Sequence, residues 1–407
     1  MLPTSSLWAQ ASPIVSSGAA LSLKQAFDAA WLRQPEAQSL IQRREAAEAR
    51  RQIAESWTAE PPTLELSGKT DQPLKNQGGR EYVAGVALPL WLLGERSRTG
   101  ALAEAESLVV SSRASAAQLR TAAAVRDAWW NWQRARGEQA LASERLDNAR
   151  RLASDVAKRV KAGDLARSDQ HQADGAAALA EVNLAETNSV LAITTQHLRS
   201  LSGTMPDAKS SDAAEPAPAV PADFSVLDAT HPAVRELFDR AELARRAADL
   251  AGVQRRNNPE LLLATTRDRG AFGDDWQQSI TIGVRIPFGS ESRNRAKVGL
   301  ARAEAIESEG QLRLERERLA SDLDAARLHV EAAQAREAAA DKRARLARES
   351  RAFFEKSFRL GETDLPTRLR IELEAVEAER QSTRARIDFA AAISTLRQVM
   401  GLLPDQK

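Results

Sequence analysis

The sequence predicts a mainly α fold with a small membrane β-barrel contribution. Long antiparallel coiled-coil helical hairpins are joined to four transmembrane strands per chain, in two duplicated halves. Three observations carry this reading. In Gln278 to Arg295, Ile280, Ile282, Val284, Ile286 and Phe288 alternate with Ser279, Thr281, Gly283 and Arg285, the period-two pattern of a strand with one apolar face. The alternating part, Gln278 to Phe288, is about 11 residues long, enough for a tilted strand to cross a bilayer, and Trp276 and Phe288 bracket it as interfacial aromatics do. The same pattern stands earlier at Tyr82 to Arg98, where Gly85 matches Gly283 and Pro89 matches Pro287, with Arg98 matching Arg295 after a one-residue gap. Each copy is followed by a proline-free run of about 65 residues, a helical rod of roughly 100 Å.

The first half opens with a helix that Ser22 caps, with Leu23, Ala26, Phe27, Ala30 and Trp31 on one face. Pro35 interrupts or restarts it, and a second run from Glu36 to about Trp57 ends before Pro61 and Pro62. Thr63 to Thr70 alternates as an outgoing strand, Asp71 to Arg80 is its loop, and Tyr82 to Trp91 returns. A helix from the Arg96 region to Lys161 follows, broken at Gly163 and Asp164. The next helix runs from near Ser168 to Leu201. Its residues Ala177, Leu184, Leu191 and Leu198 recur every seven positions with Thr187, Thr194 and Leu201 between them, a coiled-coil seam. These two helices form a hairpin whose tip is Gly163.

Met205 to Ala222, rich in Pro, Ala, Ser and Asp, reads as an extended linker. The second half then repeats the order. His231 and Pro232 open a helix to about Arg256, Glu260 to Arg267 is the outgoing strand, and Arg269 to Asp275 the loop. Leu312, Leu319, Leu323, Ala326, Val330 and Ala333 line the long helix. Gly361 with Pro366 marks the second tip, and Ile371, Ala378, Ala385, Ala392 and Val399, with Phe389 and Leu396, line the descending helix. Gly163 pairs with Gly361 and Gly203 with Gly401 at one offset, while Pro62 pairs with Pro259 one residue short of it, so a whole domain half is duplicated. The expected divisions are a leader at 1–20, a first repeat at 21–203, a linker at 204–222, a second repeat at 223–403 and a tail at 404–407. Met1 to Ala11 ends in the small residues of a cleavage site but lacks a basic start and a full apolar run. It reads as a signal-peptide remnant, a misplaced start or a disordered leader.

Composition excludes several classes. The chain has no cysteine, so it has no disulfide, thiolate metal site, cysteine nucleophile or lipidated N-terminal cysteine. A net charge of +1 leaves no electrostatic footprint for nucleic acid. No run of 18 or more apolar residues exists, so a membrane would be met by strands. His171, His197, His231 and His329 are scattered, which assembles no metal site within one chain. No phosphate-binding loop, dinucleotide fingerprint or nucleophile elbow occurs, so neither an enzyme nor a cofactor is expected. The Trp129, Trp130, Trp132 cluster is either a binding platform or, more in keeping with a long helix, packing in a wide interhelical gap. Asp164, Asp169, Glu362 and Asp364 flank the tips, where a carboxylate can cap a helix and also line a tunnel mouth.

The opening Leu21 to Glu36, the strand-to-helix junctions at Pro89 and Pro287, and the two glycine tips resemble the TolC-type outer-membrane efflux proteins over nearly the whole chain. Leu360 to Arg370 is similar to the heavy-metal resistance, CzcC-like branch. The resemblance implies a homotrimer whose barrel of twelve strands closes only on trimerisation in the outer-membrane lipid of a Gram-negative bacterium, above a periplasmic helical tunnel. It implies a passive exit duct in a tripartite efflux system, working with a periplasmic adaptor and an inner-membrane RND-type pump and exporting heavy-metal cations. It implies adaptor docking at Arg159, Gly163, Asp164, Leu165, Phe358, Arg359, Gly361, Asp364 and Leu365. Gln34 stands where the family has Asn before Pro, and Thr367 where it has an acidic gate position, while Asp169 keeps an acid beyond the first tip as a candidate gate. The alternatives are a periplasmic adaptor, which would carry one hairpin between lipoyl and barrel segments, and a structural coiled coil, which would not explain Ile280 to Phe288.

Overall fold

The computed structural model describes residues 21–73, 76–206, 210, 213–219, 221, 224–289 and 291–405. The leader expected at 1–20 lies outside them, as do parts of the linker and the last two residues of the tail.

Helix α1 (Leu23–Leu32) begins at a full capping box, in which the Ser22 hydroxyl accepts from the Gln25 backbone N–H and the Gln25 side chain accepts from that of Ser22. Helix α2 (Pro35–Glu55) restarts at proline, whose missing N–H costs nothing in a first turn. Strands β1 (Thr63–Thr70) and β2 (Arg80–Pro89) form a hairpin, and α3 (Glu95–Ala162) and α4 (Arg167–Ser202) form the first helical hairpin. After the linker come α5 (Phe224–Thr230), α6 (Pro232–Val253), β3 (Glu260–Arg269), β4 (Gln277–Arg285), α7 (Glu291–Leu360) and α8 (Leu365–Val399). Among the described residues no helix is long and apolar enough to cross a membrane.

All four strands form one antiparallel meander in the order β1-β2-β3-β4, so the hairpins of the two halves join through β2 and β3. The register matches the internal repeat. Leu64 sits opposite Val86 in the first hairpin, and their counterparts Leu261 and Val284 sit opposite each other in the second. The apolar alternation predicts a strand running to Phe288, but β4 ends at Arg285, opposite the first residue of β3. Strand β2 extends two residues further, to Pro89, because Leu88 and Pro89 pair with β3. Ile286 and Pro287, just past the end of β4, have no such partner strand among the described residues.

The core lies where the halves meet. Ala26, Phe27, Val125, Trp129, Trp132, Leu198 and Ile387 pack together, and the Trp130 indole N–H donates to Ser394 Oγ at 2.9 Å. The tryptophan cluster is therefore packing. Each half closes in the same way at its base. Gly203 (φ 74°) ends α4 against Arg33, and Gly401 (φ 74°) ends the α8 turn against His231 and Pro232, where an added Cβ would come within 2.7 Å of a neighbour in either case.

The linker is extended but fastened, which its composition does not foretell. Glu215 is buried, and its carboxylate accepts two bonds from Arg126, at 2.8 and 3.0 Å, with Arg397 Nε at 3.2 Å. Arg126 Nη1 also donates to Gln398 Oε1 and the Leu402 carbonyl, and Arg397 Nη1 to the Pro216 carbonyl. At the sheet junction the buried Glu95 carboxylate accepts from Leu92 N, Gln254 Nε2 and Asn258 Nδ2, which ties the start of α3 to the end of α6.

Candidate functional site, a membrane sheet and two hairpin tips

The register sorts the sheet's side chains by chemistry. Leu64 and Leu66 of β1, Tyr82, Val86 and Leu88 of β2, Leu261 and Leu263 of β3 and Ile280, Ile282 and Val284 of β4 fall on one face, since each pairs with another of the set or stands an even number of residues along its strand from one that does. Glu65, Ser67 and Lys69, Gly85 and Ala87, Ala264 and Thr266, and Ser279, Thr281 and Gly283 fall on the other, with Val83 and Leu262 as its larger apolar members. Small residues there are a steric need: a Cβ on Gly85 would lie 2.9 Å from that of Ala264. The apolar face is open, with Ile280 at 79% and Ile282 at 71% exposure. Aromatic residues mark both ends of the sheet. At the loop end Tyr82 and Trp276 stack at 5.8 Å, and the Arg267 and Arg269 guanidinium groups lie over Trp276. At the helix end Trp57 and Phe288 are more than nine-tenths exposed. Such a band flanked by aromatics matches a bilayer's hydrocarbon layer and its two interfaces.

At the far ends of the hairpins the same backbone device appears twice. Gly163 (φ 86°) ends α3, with Asp164 N–H donating to the Arg159 carbonyl at 2.9 Å. Gly361 (φ 79°) ends α7, with Glu362 N–H donating to the Ser357 carbonyl at 3.0 Å. This is the left-handed glycine cap that satisfies the last helical carbonyls. The following helices are capped by acids. The Asp169 carboxylate accepts from Ala166 N–H at 3.0 Å, and since Ala166 has no side-chain acceptor only half of a capping box forms. Asp364 Oδ1 accepts from Thr367 N–H at 3.2 Å, and the Thr367 hydroxyl and backbone hold the Asp364 carboxyl below the usual carboxylate range.

The two tips touch. Arg159 Nη1 donates to the Phe358 carbonyl at 3.1 Å, and its guanidinium lies 5.0 Å from the centre of the Phe358 ring, with that of Arg368 at 4.9 Å. Leu152, Val156, Ala173, Phe358 and Leu365 form a buried cluster there, with Leu165 packed against it. Phe358 and Leu365 thus face inward, whereas Gly163, Asp164, Arg359, Gly361 and Asp364 are exposed. Asp169 is half-buried and occupied with its cap. Sequence reasoning missed Arg351, Arg368 and Glu372, a charged group one to three turns behind the second tip. Burial raises the Glu372 carboxyl above its ordinary range while Arg351, 3.7 Å away, opposes that shift. Only the spacing of Arg368 and Glu372 at i and i+4 hinted at it. His171 is exposed, and among the described residues no three histidines or acids are grouped to hold a metal.

Residues 26–204 match the outer membrane efflux protein family. No curated protein matches the chain by sequence. The fold is similar to that of a membrane protein from Pseudomonas aeruginosa, at TM-score 0.76 and 17% identity over 93% of each chain. It is similar to the outer membrane protein VceC of Vibrio cholerae, at TM-score 0.72 and 16% identity over 93% of this chain and 96% of that one. It is also similar to the MtrE outer membrane channel of Neisseria gonorrhoeae in its open state, at TM-score 0.73 and 15% identity over 93% and 89%. The architecture is that of the outer-membrane efflux channels, a class located in the Gram-negative outer membrane with the helical tunnel in the periplasm.

Proposed function

We propose that the chain is the outer-membrane channel of a tripartite efflux system, a passive exit duct that works as a homotrimer with a periplasmic adaptor and an inner-membrane RND-type pump. The observation that carries the reading is the sheet. Most of its large apolar side chains gather on one open face and most of its small and polar ones on the other, while β1 and β4 leave both edges unpaired among the described residues. Open edges are not tolerated in lipid, so further copies have to complete the barrel. The helices argue likewise. Helix α6 packs against both α3 and α7, whereas its counterpart α2 packs against α3 and leaves Ile41 and Ile53 exposed, a place for α7 of another copy.

The tips are the adaptor-docking ends in this reading, with Gly163, Asp164, Arg359, Gly361 and Asp364 as contacts and Arg159, Leu165, Phe358 and Leu365 as the packing beneath them. Asp169 is the acid nearest a gate. The cargo is heavy-metal cations such as zinc, cobalt, cadmium or nickel, or copper or silver, a reading that rests on the similarity of Leu360 to Arg370 to the metal-resistance branch. Passage needs only sites weak enough to leave, so selectivity belongs to the pump and adaptor. Deleting the gene should sensitise cells to particular metals, and sensitivity to organic toxicants alone would refute the cargo. Substituting both Gly163 and Gly361 with glutamine should abolish export and leave trimers in the outer membrane. Nothing lies within 4 Å of a Cβ at either position, so only the left-handed backbone is taxed, by about 1 kcal/mol each. Unchanged export would remove the docking role.

A further inference from the structure

A groove of about 980 Å³ opens between the start of α3, the end of α6 and the fourth and fifth turns of α7, on the sheet side of the helices. Arg98, Arg245, Arg255, Arg256 and Arg302 line it, against one acid, Asp249. The arginines are unequally occupied. Arg245 is paired with Glu242 at 3.2 Å and Glu309 at 2.6 Å, and Arg98 reaches the Asp249 backbone carbonyl at 3.4 Å. Arg256 and Arg302 are exposed and make no side-chain hydrogen bond or ion pair among the described residues. Two uncompensated guanidinium groups on one groove are a receptor for an anion with several oxygens, because the planar fork matches phosphate geometry.

The lining also has an apolar part. Leu92 and Leu93 follow the end of β2 at Pro89, Arg255 and Arg256 precede the start of β3 at Glu260, and Ile306 lies on α7. Leu93 is 99% exposed and Ile306 70%. Trp57 and Phe288 stand exposed at the same end of the sheet. A free anion has no use for Leu93 and Ile306, but a phosphate that carries acyl chains does. We propose that this groove binds a phosphate group, and that its source is the headgroup of an anionic phospholipid at the periplasmic face of the membrane. The lipid source rests on the membrane reading above; the anion site does not.

The test uses the full-length protein in non-ionic detergent and in vesicles. Wild type, the R256E/R302E variant and the control R336E, which changes an exposed residue far along α7, are exchanged with phosphatidylglycerol or phosphatidylcholine, and retained lipid is counted by native mass spectrometry. Wild type and R336E should retain phosphatidylglycerol in preference to phosphatidylcholine, and R256E/R302E should lower that retention about tenfold. Should charge reversal prevent folding, R256Q/R302Q carries the same comparison with a smaller loss. Equal retention by wild type and a folded variant overturns the site. Inorganic phosphate is titrated in parallel. Binding of phosphate with the same sensitivity to R256E/R302E, without preference for phosphatidylglycerol, overturns the lipid source and supports a soluble anion. Failure of the wild type to insert into phosphatidylcholine vesicles is a failure of the membrane reading, and the phosphate titration still decides the site.

Discussion

Glu215 carries one negative charge between two buried arginines, of which Arg126 bonds further to Gln398 and the Leu402 carbonyl and Arg397 to the Pro216 carbonyl, while the buried Arg397 Nε lies 3.2 Å from Glu215 without a hydrogen bond among the described residues. Such a group contributes less to stability as a whole than its loss would suggest, because breaking it strands charge in a poorly solvated place. Glu215→Gln should therefore cost about 3 kcal/mol, read as a lower denaturant midpoint, and should free the linker to proteases. An unchanged midpoint would show the linker merely lying on the surface. His231 presents the opposite case, since it is buried at the start of α6 against Gly401 and neither ring nitrogen makes a hydrogen bond among the described residues. Burial lowers its pKa, and the Val399 carbonyl acts against that shift to a smaller extent. With the folded value below the unfolded one, the unfolded chain takes up the proton first as pH falls, so stability is full above about pH 6.5 and declines below it. Denaturation of the wild type between pH 7 and 5 should show this loss, and His231→Gln should remove that part of it. Identical pH slopes would refute the assignment.

Strands test the fold at the next scale. Ile282 and Thr281 are neighbours on β4, yet the register puts one on the apolar face and the other on the face of small and polar residues. Ile282→Lys should cost about 2–4 kcal/mol of membrane stability if it sits near mid-bilayer, and should lower the amount of protein in the outer membrane. Thr281→Lys should assemble normally, and equal defects in both would mean that the face assignment is wrong. This face was legible in the sequence because alternation is a local property, as were the long helices and the tips, where proline-free runs end at a glycine. The anchors were not legible. Glu215 meets Arg126 across 89 residues and Glu95 meets Asn258 across 163, so no local spacing marks them, and a run of Pro, Ala and Ser reads as free linker. Helix α5, at 7 residues, is too short for a period to show. At the tips the sequence marked which residues turn the chain, but not that Phe358 and Leu365 face inward, which depends on the two hairpins meeting.

At the scale of the assembly, the internal repeat fixes how copies join. Leu64 and Leu66 correspond to Leu261 and Leu263, and Val284, Arg285 and Ile286 to Val86, Ala87 and Leu88, a correspondence that both hairpin registers obey. Within the chain β2 meets β3 with Val86 opposite Leu263, Ala87 opposite Leu262 and Leu88 opposite Leu261. If β4 of one copy meets β1 of the next as β2 meets β3, Val284 stands opposite Leu66, Arg285 opposite Glu65 and Ile286 opposite Leu64. That arrangement supplies what the single chain lacks. It pairs the two free edges, gives Ile286 and Pro287 the partner that would extend β4, and sets opposite charges side by side on the face away from lipid. The chain has no native cysteine, so Leu66→Cys with Val284→Cys introduces the only thiols. Oxidation in membranes should give covalent dimers and trimers that stop at three, since three copies of a four-stranded sheet make twelve strands. Moving the second cysteine to Gly283 puts it on the opposite face and should suppress the product. Absence of cross-links in folded protein would break the quasi-equivalent register, and a ladder running past three would break the closed ring.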